Sequence, residues 1–291
     1  MVDKSRLKKP IDWFKYILIL PLIVWLGLFV VFPLLDVAVM SFMKSGTYGG
    51  VEVGFSLNNY FSLLSPLYLK IIFLSFLLAL IVTVISILIA YPFAMFVSKK
   101  SNASLSVLTA LITTPFMISS ILRLYAWIMI LRTNGILNSF LMKVHVIGKP
   151  LDLVYNNFAV VLGMVYTLIP FMLLPLISGF RNVDVSLVEA TQDLGGKKLE
   201  IFKYVYLPTT LPAVFSGSIM VFIPTLGYFF VSDIMGGSKS ILIGNLVRDQ
   251  FISAHNWPFG SALSVSIIVF TFLVLWLYKR MGGSLDDLGG N

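Results

Sequence analysis

Residues 185–208 read VSLVEATQDLGGKKLEIFKYVYLP, and the way this stretch stops and restarts a helix decides how the rest of the chain is read. Ser186 and Glu189 stand as S-x-x-E, the spacing of a capping box, which predicts a helix beginning near Leu187. Leu187, Ala190, Thr191 and Leu194 then fall at i, i+3, i+4 and i+7 on one face. Gly195 and Gly196 supply the left-handed backbone that ends a helix. A second short helix is expected over 197–206, stopping ahead of Pro208. Two short helices with a partly apolar face and no core of their own need a partner.

Outward from this loop, 181–209, the sequence turns apolar in both directions. The 291 residues are 58% hydrophobic and 12% charged, with a mean hydropathy of +0.95, outside the range of a water-soluble globular domain. A crossing needs about 20 apolar residues. Six runs qualify, drawn at 16–40, 71–97, 105–131, 158–180, 207–232 and 257–278, the first and third having charge-free cores at 16–35 and 105–122. The expected fold is all-α and integral to the membrane, one transmembrane domain over 1–291. The connections are too short for a separate soluble domain.

Charge gives the expected orientation. Thirteen of the 21 Lys and Arg lie in the N-terminal tail, the 98–104 turn, the 181–209 loop and the C-terminal tail, and seven lie in the three alternate connections. This positive-inside asymmetry puts both termini and the 181–209 loop in the cytoplasm and explains the net charge of +8 without nucleic acid. Lys4, Arg6, Lys8, Lys9 and Lys15 ahead of an apolar run imitate a signal peptide, but the run is long and no small-residue cleavage site follows, so it reads as an uncleaved first span. The absence of cysteine excludes disulfides, thiolate metal sites and a cysteine nucleophile.

The first outer connection carries Gly46, Gly49, Gly50 and Gly54 and reads as turns. In the second, Asn134-Gly135 precedes Ile136, Leu137, Phe140, Leu141 and Val144, the one-sided spacing of an interfacial amphipathic helix. Pro170 and Pro175 in the fourth span, with Pro208, Pro212 and Pro224 in the fifth, mark kinks that either line a pathway or adjust packing.

Glu189-Ala190-Thr191, Gly195 after three more residues, and Val205-Tyr206-Leu207-Pro208 after nine more together resemble the EAA loop of permease subunits of binding-protein-dependent ABC importers. Thr191 replaces the second alanine and Val205 an isoleucine, with spacing kept. The resemblance implies a type I importer permease fold in which 181–209 is the coupling helix, with Glu189, Ala190, Thr191, Asp193, Leu194, Gly195, Leu207 and Pro208 toward the ATPase subunit. No G-x-x-x-x-G-K-[ST] phosphate loop occurs in the chain, so ATP and Mg are expected in a separate ATPase chain, and this chain is expected to be no enzyme and to hold no cofactor. Two readings stand for Glu189: it caps its own helix, or it reaches the partner.

The resemblance continues through Arg123-Leu124-Tyr125-Ala126-Trp127, Asn134 to Asn138, Val231 to Gly237, Ile243-Gly244-Asn245 and Asn256 to Gly260, which look like permeases of spermidine/putrescine uptake systems. It implies a multi-pass protein of the cytoplasmic (inner) membrane that works by alternating access, with an ATPase dimer, a second, paralogous permease and an extracytoplasmic polyamine-binding protein as partners. A polyamine needs carboxylates for its ammonium groups and aromatic faces for the stem. The candidates are Asp233 after Tyr228 and Phe229, then Asp36, Tyr166 and Tyr125. Alternatives stand beside each. Asp233 reads equally as a helix-end carboxylate held by backbone donors of Gly236-Gly237, Asp36 as interfacial, and Tyr125 with Trp127 as an anchor belt. Arg123 would repel a polycation and is expected to pair with a carboxylate or to position a helix end. Permeases for other small solutes share parts of these motifs. An ion-coupled secondary transporter would need a charge near a span centre, which no span has. A membrane hydrolase finds only His145 and His255, without partners at ligand or catalytic spacing.

Overall fold

The computed structural model describes residues 13–47, 49–237 and 240–280, with side chains from residue 19 onward. Lys4, Arg6, Lys8 and Lys9, part of the charge on which the orientation was argued, lie outside the described residues, as do 281–291. The first span is α1 (Ile19–Met40), one helix with a wide π-turn at Gly27–Val31. A short antiparallel hairpin, β1 (Met43–Ser45) with β2 (Val51–Phe55), follows it, then α2 (Asn58–Leu63) and the long second span α3 (Pro66–Ser98).

The third crossing, expected as a straight run over 105–131, is broken. α4 (Asn102–Thr113) tightens into a 3-10 turn at Thr114–Met117, and the chain turns by 90° before α5 (Ser120–Leu131). The cause is local. Thr113 and Thr114 hydroxyls bond back to the carbonyls of Thr109 and Ala110, Pro115 removes a donor, and Ile118 and Ser119 are extended at ψ 146° and 129°. Gly135 then leads into α6 (Ile136–Lys143). A side chain there would stand 2.5 Å from the Ile130 carbonyl oxygen.

Three helices make the centre: α3, α7 (Asn157–Arg181) and α9 (Lys198–Gly227), packed on one another along Val82, Met164, Leu168, Met172, Leu176 and Val221. Small residues let α7 and α9 approach closely. A Cβ on Gly179 would lie 2.5 Å from that of Ala213, and one on Gly217 would lie 2.7 Å from the Met172 sulfur. Contact of this kind supplies the dispersion energy that holds helices together where lipid removes the hydrophobic drive. Pro170, Pro175, Pro212 and Pro224 all stay inside continuous helices.

α9 begins earlier than expected. The helix expected over 197–206 does not stop before Pro208 but runs through a π-turn at Phe202–Tyr206 into the fifth span. In an α-helix the Pro208 ring would meet the Tyr204 carbonyl, and the wider turn directly ahead moves that carbonyl aside. The far end also differs from the expected 207–232. α9 breaks at Tyr228 (ψ 61°), and two short helical turns, Phe229–Val231 and Ser232–Gly236, follow. α10 (Ile243–Ile252) and the last span α11 (Trp257–Arg280) complete the chain. α11 packs on α1, α2, β1 and α10. His145 and His255 both sit at positive φ, 58° and 49°, as turn residues.

Candidate functional site

The expected site residues separate to the two ends of α9, a helix of 30 residues and so about 45 Å long. At its start lies α8 (Val185–Asp193). The cap is not the expected Ser186–Glu189 box. Asp184 is the N-cap, its carboxylate accepting from the Ser186 backbone N–H at 2.9 Å, and these bonds to Ser186 hold its pKa below the usual carboxylate value. The helix therefore starts at Val185, two residues before the expected Leu187. Glu189 is exposed and takes no hydrogen bond among the described residues, so self-capping is overturned.

The helix ends as the glycines require. Gly195 has φ +80°, the Gly196 N–H donates to the Thr191 carbonyl at 2.9 Å, and a Cβ on Gly196 would stand 2.6 Å from that same oxygen. Glu200 then accepts from the Lys197 N–H at 2.6 Å and starts α9. Every polar end of this small element is satisfied within itself, while its apolar face is bare: Leu187 is 51%, Leu194 89% and Leu199 76% exposed. Ala190 and Asp193 are exposed beside them and Thr191 is half-buried, its hydroxyl returned to the Leu187 carbonyl. Leu207 and Pro208 sit on the exposed flank of α9, whereas Val205 and Ile201 are buried and anchor it.

An aromatic cluster behind the loop was not singled out from the sequence. Tyr91, Phe180, Phe202 and Tyr206 pack edge-on or tilted at 4.9 to 5.9 Å, and the Tyr91 hydroxyl meets that of Thr210 at 3.0 Å. This cluster ties α3, α7 and α9 together where α8 leaves them. The tyrosines and phenylalanines were visible in the sequence, but they come from three separate helices, and only the fold brings them together.

At the other end of α9, Asp233 is held by side chains and not by the Gly236-Gly237 backbone. Asn245 donates to its Oδ1 at 2.7 Å, and Arg248 donates from Nη1 to Oδ2. The same guanidinium reaches Asp249 Oδ1 through Nη2 at 2.6 Å and Nε at 3.0 Å, and lies 5.5 Å from the centre of the Phe229 ring. Asn245 is itself fixed, accepting from the Leu242 N–H at 3.0 Å, while Ser75 of α3 accepts from the Ile243 N–H at 2.8 Å. Tyr228, Phe229 and Phe230, a few residues ahead of Asp233 in the chain, form a run of rings with Phe230 5.2 Å from Tyr228 and 6.4 Å from Phe229.

The other candidates do not join this group. Asp36 is exposed on α1, with no hydrogen bond or ion pair among the described residues. Tyr166 meets Trp127 at 5.5 Å and Phe116 at 6.0 Å, around the Arg123 guanidinium, which lies 4.5 Å from the Phe116 ring centre. Tyr125 faces outward and takes no part. Of the two roles expected of Arg123, pairing with a carboxylate is not seen among the described residues. Arg123 is buried, bonded once to Ser120 at 3.0 Å, with Nε and Nη1 unpartnered among the described residues, and the aromatic faces supply its compensation. Trp127 is half-buried in the same cluster. A cavity of about 430 Å³ opens beside the hairpin, lined by Lys44, Glu52, Asn58, Asn59, Tyr68 and Asn256 among others, and by none of the expected site residues. The described residues contain no group of His, Asp and Glu able to hold a metal.

Comparison with known proteins completes the picture. Residues 83–285 match the family of binding-protein-dependent transport system inner membrane components. The chain is 38% identical over 269 residues to the spermidine/putrescine transport system permease protein PotB of Escherichia coli K12, covering 92% of this chain and 98% of that one. It is 36% identical over 262 residues to PotB of Haemophilus influenzae, covering 90% and 92%. A molybdenum transport system permease of H. influenzae is 27% identical over 221 residues, covering 72% and 95%. Among solved structures, the bacterial alginate ABC transporter with its periplasmic protein superposes with a TM-score of 0.75 at 14% identity, covering 93% and 94%, and the MetNI methionine transporter with 0.52 at 16% identity, covering 75% and 97%. By sequence over most of its length and by fold over nearly all of it, the chain belongs to the binding-protein-dependent transport system inner membrane components, the permease subunits of ABC importers.

Proposed function

We propose that the chain is one transmembrane half of an ATP-driven polyamine importer of the inner membrane, with α8 docked on a cytoplasmic ATPase subunit. The observation that carries the coupling role is the state of α8. It is capped at both ends from within, yet it presents Leu187 and Leu194 bare. A face of this kind is stable in water only when covered. Glu189, Ala190 and Asp193 border it, and Thr191, Gly195, Leu207 and Pro208 complete the motif behind it. ATP and Mg bind the ATPase dimer. A second, paralogous permease supplies the other coupling helix, and an extracytoplasmic receptor delivers the cargo.

Support for a polyamine cargo is twofold. Relatives 36% and 38% identical over nine-tenths of the chain are named for spermidine and putrescine. Independently, Asp233 with Tyr228, Phe229 and Phe230 combines a carboxylate with ring faces, the chemistry an alkylammonium requires. In the proposed cycle the ATPase subunits close on the paired α8 helices, and α9 carries that displacement along its length to the Asp233 end, where access alternates.

The test is reconstitution. The permease, its paralogue and the ATPase are purified together in proteoliposomes and supplied with the receptor. Uptake of labelled spermidine or putrescine that stops when ATP is withdrawn, with ion gradients held constant, supports the reading. Uptake that follows an imposed ion gradient without ATP sinks it, and ATP-driven uptake of another solute in place of polyamines sinks its substrate half.

A further inference from the structure

Two carboxylates, Asp233 and Asp249, share one guanidinium, that of Arg248. Among the described residues this leaves one negative charge uncompensated at the far end of α9. The group is open at the surface of the chain, with the Asp233 side chain 36% and that of Arg248 29% exposed. The guanidinium sits with a carboxylate on one side and the Phe229 ring on another, and it takes there the place that an arriving ammonium would take.

We propose that Arg248 is a resident substitute for the cargo: it occupies Asp233 while the site is empty and withdraws to Asp249 when a polyamine ammonium arrives. The inference rests on the polyamine reading above. Its physical basis is that the exchange leaves no ion stranded. Arg248 already holds Asp249 through two nitrogens, so releasing Asp233 costs it one of its two carboxylate partners and no more. Asp233 keeps its bond from Asn245 throughout, so the carboxylate does not move as its cation changes. The incoming ammonium completes the charge balance, giving two carboxylates and two cations. An empty site is meanwhile filled by a tethered cation, which competes with small inorganic cations that would otherwise leak through.

The experiment uses the complete importer. Equilibrium binding of labelled spermidine is measured on the assembled complex without receptor, for wild type, Arg248→Met, Arg248→Lys and Asp249→Asn. Removing the resident cation should tighten binding about fivefold, the worth of one partly exposed ion pair. Asp249→Asn, which leaves Arg248 no second partner, should weaken it by a similar factor. Arg248→Lys, which keeps the charge and the fold, should stay near wild type, and the double variant Arg248→Met/Asp249→Asn should bind as Arg248→Met does. Opposite signs at neighbouring residues are not what a merely structural role produces. Equal or weaker binding in Arg248→Met, or an unchanged Asp249→Asn, overturns the proposal. Should Arg248→Met fail to assemble, the sign of Asp249→Asn decides alone. Wild type that takes up no polyamine at all would instead sink the substrate reading, which a wild-type uptake assay run in parallel detects separately.

Discussion

The two ends of α9 solve opposite problems. At its start, α8 is capped at both ends from within and has left its apolar face uncovered. At its finish, Asp233 is paired by donors from its own chain, stays open at the surface and presents a charge imbalance. An uncovered apolar face implies a lasting protein partner, because burying Leu187 and Leu194 is favourable at any time. A paired but exchangeable carboxylate suits a transient ligand, since one cation replaces another at little net cost. The contrast fits a device whose motor stays attached while its cargo passes through.

Breaking the α8 end should have the largest effect. Gly195→Val forces a β-branched residue into φ +80°, a strain of about 1–3 kcal/mol. The turn between α8 and α9 should then rearrange and uptake should fall at least about tenfold, since misplacing a coupling element by even a small distance is felt at a remote site. ATP-driven uptake at the wild-type rate would remove the loop from the coupling role. Leu194→Asp leaves the backbone alone and puts a charge on the bare face. Retention of the ATPase during purification should drop about tenfold, on the scale of a buried anchor at an interface, and full retention would mean that another surface docks. Asp233→Asn should raise the polyamine KM about fivefold with assembly unchanged. A lowered assembly yield together with a normal KM would make Asp233 structural.

The smallest effect belongs to Asp184. Its pKa is held down by the bonds to Ser186, so the cap is present above the ordinary carboxylate range and is lost as the pH falls through the depressed folded value. Asp184→Asn keeps a cap-competent side chain and should barely change coupling, whereas Asp184→Ala should fray the first turn of α8 at every pH, measurable as faster amide exchange over Val185–Leu187. An exchange profile identical to wild type would show that α8 is held by its C-terminal turn alone.

Much of this was readable from composition and spacing. Five of the six apolar runs appear as helices of crossing length, and these, the glycine stop at Gly195 and α6 follow from short-range rules. The misreadings have physical causes. Asp184 and Ser186 are both cap residues two positions apart, and each is consistent with the pattern that follows, so the sequence leaves the first turn of α8 undecided. Pro115 resembles Pro170 or Pro212 in the sequence, yet those helices run on because α3, α7 and α9 enclose them, while α4 has fewer neighbours to hold it straight. The partner of Asp233 lies 15 residues away on α10, a pairing that depends on the break at Tyr228 and on Ser75 of α3. Nothing local in the sequence announces it.

The placement of α1 has a consequence for how the chain is made. This first span packs chiefly on α11, the last one, and none of its core window is fully buried. Bonds from Ser45 to Asn256 and from Gly50 to the His255 carbonyl reinforce the same junction. A span made before α11 thus has its neighbour delivered about 220 residues later, and loop-closure entropy is spent only when α11 enters the membrane. During synthesis α1 waits in lipid as a lone helix, so a nascent chain truncated before Trp257 should hold its central trio α3, α7 and α9 while its first span drifts free.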